Sequence, residues 1–99
     1  MTIEAIIAPT KPFLKRPPLY KIMIFDDDIT KYQCVIDIAV KYFNKTPDEA
    51  YEVAFRVDAR GADMVGVYSK DVAETKVKMA KAELKALGAP LRIELFESI

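Results

Sequence analysis

Three carboxylates stand side by side at Asp26, Asp27 and Asp28, directly after the apolar run from Leu19 to Phe25 and just before Thr30. Adjacent acids repel one another and resist packing. Their place at the end of a hydrophobic segment therefore calls for solvent, a cation or backbone N–H groups to hold them. The cation that suits such a turn is organic. The same residues also have a plain structural use, because Asp is favoured in turns and at helix starts, where its carboxylate accepts backbone N–H bonds. On local chemistry alone both readings stay open.

Other chemistry is largely excluded by what the chain lacks. Among its 99 residues there is no histidine, which removes the commonest general base, proton shuttle and metal ligand together. One cysteine, Cys34, makes neither an internal disulfide nor a thiolate cage and reads as a small buried hydrophobe on a helix. With Ser69 and Ser98 as the only serines and no glycine-rich phosphate loop, carboxylate or lysine chemistry is all an enzyme would have, and none is expected. An EF-hand would need Gly at Lys31 and Glu at Asp37, entered from a helix, so no metal site is expected, and no cofactor either. Fifteen basic residues balance fifteen acidic ones, which gives no electrostatic drive toward nucleic acid or anionic lipid. No run approaches a membrane span and no signal-peptide pattern opens the chain, so a cytoplasmic location is expected.

The elements that position the acids follow from periodicity. Residues 1–18 hold Pro9, Pro12, Pro17 and Pro18 with no sustained period, and read as a flexible tail ahead of one domain, 19–99. From Leu19 and Tyr20 the pattern is β-like, with Ile22 and Ile24 on one face and Met23 and Phe25 on the other, as in a central strand. Thr30 then starts a helix over 31–43, whose apolar stripe is Tyr32, Val35, Ile36, Ala39, Tyr42 and Phe43. Thr46-Pro47-Asp48-Glu49 is a capping box with proline at the first helical position. The second helix buries Ala50, Val53, Ala54 and Val57 and ends at Arg60 and Gly61. A strand over 63–68, a helix capped by Ser69 and stopped by Gly88 and Pro90, and a strand over 91–96 complete the order β-α-α-β-α-β. That order predicts an α+β two-layer sandwich: a three-stranded antiparallel sheet packed by three helices.

The segments PPLYKIMIFDDDIT from Pro17, VID from Val35 and VGVYSKDVAETKVKMA from Val65 resemble the ClpS family of adaptors. Those adaptors recognise N-terminal degradation signals and hand their bearers to Clp-type AAA+ proteases. The resemblance runs from Pro17 to Leu95 without a gap, and VAETK at Val72 to Lys76 is its most specific marker. It shifts the reading of the acidic turn from structural to functional. In that family an asparagine at the strand end and a histidine near the end of the second helix grip the substrate's α-amino group. Asp26 stands at the asparagine position and Asp58 at the histidine position, with Asp27 and Asp28 matching the family's acids. The resemblance thus implies amine binding by Asp26, Asp27 and Asp58.

It further implies a side-chain pocket of Asp28, Ile29, Thr30, Tyr32, Val35, Ala54, Val57 and Leu91, reshaped where Tyr32 and Ala54 replace methionines common in the family. Asp71, Glu74 and Lys76 match its unfoldase-docking surface. The function implied is that of a monomeric adaptor that binds a free α-amino group plus a bulky hydrophobic first residue. The alternative is an anti-adaptor that keeps the docking surface while the altered pocket no longer accepts such termini.

Overall fold

The computed structural model describes residues 18–98, so the tail expected over 1–18 falls almost wholly outside it. Strand β1 (Leu19–Phe25) is central in a sheet of order β2-β1-β3, antiparallel on both sides to β2 (Ala62–Ser69) and β3 (Arg92–Ser98). This is why both of its faces are apolar. Ile22 and Ile24 are fully buried under the helices with Val65 and Ile93, while Met23 and Phe25 lie on the opposite face, where Phe25 meets Phe96 edge-on at 6.4 Å. The register of β1 on β2 slips between Ile22 and Met23, which pair with Gly66 and Met64, so Val65 is the extra residue of a bulge.

Helix α1 (Tyr32–Tyr42) and helix α2 (Pro47–Arg60) pack against each other, and helix α3 (Lys70–Leu87) crosses the sheet and touches all three strands. The predicted sandwich is the observed one. The capping box is complete: Glu49 N–H donates to the Thr46 hydroxyl at 3.2 Å and Thr46 N–H donates to the Glu49 carboxylate at 3.0 Å. Gly61 and Gly88 end α2 and α3 with φ of 89° and 71°, the left-handed region that glycine enters without steric penalty.

Four local readings are corrected. Thr30 does not cap α1; the cap position belongs to Lys31, whose side chain makes no capping bond. Ser69 occupies the cap position of α3, but its hydroxyl makes no capping hydrogen bond either. On α1 Ile38, outside the stripe read from the sequence, is fully buried along with Ala39, while Ile36 is only half-buried. Cys34 is half-buried, not a core residue, and burial raises its thiol's pKa, with Asp37, Glu83 and Asp27 adding to the effect.

Candidate functional site

The acidic turn divides its work. Asp27 faces back into the turn: its Oδ1 accepts the Ile29 and Thr30 N–H groups at 2.8 and 2.7 Å, and its Oδ2 accepts the Thr30 hydroxyl at 2.7 Å. Burial pushes the Asp27 carboxyl up, but the hydrogen bonds from Thr30 and Ile29 outweigh it and hold it below its ordinary 3.8. The structural reading of an aspartate turn therefore holds for this residue. It also explains why Thr30 does not cap α1, since its hydroxyl is donated backward. Asp26 and Asp28, by contrast, are exposed.

A single backbone bond fixes the rim. Asp26 N–H donates to the Gly61 carbonyl at 2.9 Å, so the exit of β1 abuts the C-terminal end of α2, and Asp58 stands one turn back along that helix. The last carbonyls of a helix carry partial negative charge, which adds to the carboxylates and favours a cation here. The third member is Tyr32, at the start of α1. Its ring meets Tyr51 of α2 edge-on at 5.7 Å, and its phenol pKa is raised by burial and then by Tyr51 and Asp58. Tyr32 thus keeps its proton at neutral pH. Asp26 thus follows the end of β1, Asp58 lies in the last turn of α2 and Tyr32 opens α1.

Val35, Ala54, Val57 and Leu91 belong to the hydrophobic core of the domain, 6%, 2%, 2% and 7% exposed, and Tyr32 packs against it. Ile29 is not part of it: 73% exposed, it borders with Thr30, Cys34 and Leu87 a different cleft of about 390 Å³.

At the start of α3, Asp71 and Glu74 are exposed, but Lys76 is committed within the fold. Its ammonium donates to the Tyr42 carbonyl at 2.9 Å and to Asn44 Oδ1 at 3.0 Å, and lies 4.9 Å from the Tyr68 ring centroid. It closes the C-terminal end of α1, where a cation is favoured. Asp71 and Lys76 nevertheless border a cleft of about 350 Å³ with Val72 and Met79, apolar residues exposed on the charged side of α3. Val72 and Met79, like Tyr51 and Phe55 on α2, received no role from the sequence. The available signal was apolar residues spaced by four or seven just off the buried stripe.

A two-layer domain with exposed carboxylates after β1 and in the last turn of α2, and a mixed charged and apolar surface at the start of α3, has the equipment of a binding module. The model of the family described as "ATP-dependent Clp protease adaptor protein ClpS" matches residues 15–94, and the chain belongs to that family. It is 39% identical over 88 residues to the ATP-dependent Clp protease adapter protein ClpS of Methylococcus capsulatus, covering 89% of this chain and 83% of that one. To the protein of the same name from Nitratidesulfovibrio vulgaris it is 36% identical over 84 residues, 85% of this chain and 84% of the relative. Among solved structures, Agrobacterium tumefaciens ClpS2 bound to L-phenylalaninamide superposes with a TM-score of 0.80 at 32% identity, covering 84% of this chain and all of that one. The relatives are named as adaptors, not as enzymes.

Proposed function

We propose that this adaptor holds the free α-ammonium of a substrate protein between Asp26 and Asp58 and takes a bulky hydrophobic first side chain into the lining of Val35, Ala54, Val57 and Leu91. Asp27 sets the turn that presents Asp26. The observation that supports the reading is the Asp26 N–H to Gly61 carbonyl bond, which ties the acidic turn to the end of the helix that carries Asp58. A solved relative bound to L-phenylalaninamide supports it, since that ligand combines a free amine with an apolar side chain.

The chemistry is a conjunction of two modest contributions. A free α-amino group has a reference pKa of about 8, so it is mostly cationic at neutral pH. A hydrogen bond to a charged group and the burial of one large apolar side chain each contribute about 1.5–3 kcal/mol, so neither alone binds tightly. The pair distinguishes a chain end from an internal segment. Delivery to a Clp AAA+ unfoldase uses the surface of Asp71 and Glu74 around the Val72 and Met79 cleft, with Lys76 as its fixed edge. No helix among the described residues is long and apolar enough to cross a membrane.

Fluorescence anisotropy with a Leu-initiated peptide and its N-acetylated twin tests the reading. Binding of the free peptide with loss on acetylation is expected. Equal affinity for both refutes amine recognition, and docking on the unfoldase without binding either peptide makes the chain an anti-adaptor.

A further inference from the structure

We propose that Tyr51 and Phe55 form a subsite for the second residue of the substrate, an aromatic ledge on α2 that favours an aromatic or large apolar side chain. The proposal rests on the amine-binding role assigned to Asp58 and extends recognition one residue beyond it.

Two large aromatic side chains, Tyr51 and Phe55, stand one turn apart on the surface of a small domain, 55% and 57% exposed, and the edge contact of Tyr51 with Tyr32 covers neither. At 100° per residue, positions 51, 55 and 58 fall within about 60° of one another on α2, so the ledge and the amine-binding carboxylate share one stripe. Ala54, about 40° inward of Asp58 on the same helix, is buried in the core. Tyr32 of α1 meets Tyr51 edge-on at 5.7 Å, so the ledge adjoins the start of α1.

An extended peptide with its amine at Asp58 and its first side chain pointing inward turns its second side chain outward, about 3.8 Å further along the chain. On the helix, Phe55 lies about 4.5 Å and Tyr51 about 10.5 Å from Asp58 in axial rise, which is within reach of a Phe or Leu side chain. A cleft of about 480 Å³ lies beside the two rings, bordered on its far side by Glu52 and Arg56. Arg56 is already held by Asp63 at 3.0 Å and approached by Glu52 at 3.9 Å, so it is a poor partner for an incoming acid. The ledge therefore offers ring faces, with Asp58 and Glu52 disfavouring a negative second residue.

The test uses the full chain and peptides that begin with Leu and differ only at position two: Phe, Leu, Gly or Glu. The expected order is Phe and Leu above Gly above Glu, with Phe about five- to tenfold tighter than Gly, as stacking and burial of one half-exposed aromatic imply. In Phe55→Ala, which leaves the Tyr32–Tyr51 stack in place, and in Tyr51→Ala/Phe55→Ala, the Phe-to-Gly ratio falls below twofold; circular dichroism melts check that both variants fold. A wild-type ratio near one, or a ratio that survives the double substitution, overturns the subsite while leaving acetylation-sensitive binding of the Leu-Gly peptide as evidence for the underlying function. Failure of every peptide to bind removes both. Self-association of the wild type in sedimentation that vanishes in the double variant overturns the subsite in favour of a contact between copies.

Discussion

If two carboxylates hold the substrate's ammonium, binding must weaken with salt. A unit pair at about 4 Å in water is worth about 1 kcal/mol, and the exposure of Asp26 and Asp58 keeps the contact near that aqueous limit. The Debye length shortens from about 10 Å at 0.1 M salt to about 3 Å at 1 M, so the attraction at about 4 Å retains roughly two-thirds of its strength at the lower value and one-quarter at the higher. Two such contacts together lose about 0.8 kcal/mol, which is about a fourfold weakening of affinity. The measurement is anisotropy titration of a Leu-initiated peptide across that salt range, on the wild type, Asp26→Asn, Asp58→Asn and the double variant. Each single variant should show about half the slope and the double variant almost none. A slope unchanged in Asp26→Asn/Asp58→Asn, or tighter binding by it at low salt, refutes the counter-charge mechanism.

Two further outcomes follow from the fold. Asp27 has a folded-state pKa held below 3.8, so the unfolded chain takes up the proton first; its stabilisation is fully present above that value and is lost as pH falls through the folded value. Asp27→Asn should cost about 1–2 kcal/mol in urea unfolding at pH 6, with the gap from wild type narrowing toward pH 2, and a gap independent of pH sinks the assignment. Thr46→Ala removes one acceptor of the capping box and should cost about 1 kcal/mol, read as a melting-temperature drop of roughly 4–8 °C, and an unchanged melt contradicts it.

Where local chemistry is strong, the chain could be read residue by residue. Thr46-Pro47-Asp48-Glu49 specifies the start of α2 through bonds made within four residues, and Gly61 and Gly88 mark ends that only a left-handed residue makes easily. The apolar faces of β1 announced a central strand for the same reason, since each side must meet a neighbour or be wasted. The misreadings lie where side chains choose between partners. Thr30 and Ser69 have capping hydroxyls, yet Thr30 is drawn back by Asp27 and Ser69 makes no such bond. Ile38 was overlooked because a period of three and four admits two adjacent stripes, and the choice between them is made by packing on α2 and α3. At the site, the acidic turn drew notice by its own chemistry and the apolar positions by their period, but the role of Asp58 and the grouping of these residues came only through resemblance. The bond from Asp26 to Gly61 joins residues 35 apart in sequence, and no local pattern encodes it. The commitment of Lys76 to the end of α1 was invisible for the same reason.

The near-complete burial of Val35, Ala54, Val57 and Leu91 has a consequence for how such a receptor lives between encounters. A vacant greasy hollow would be adhesive, and a protein that circulates among unfolded chains would collect the wrong ones. On the proposed reading, the burial of these four residues makes admission a barrier-crossing event: side chains must part before a guest can settle, so capture runs slower than collision, and a terminus must first be held by the carboxylates.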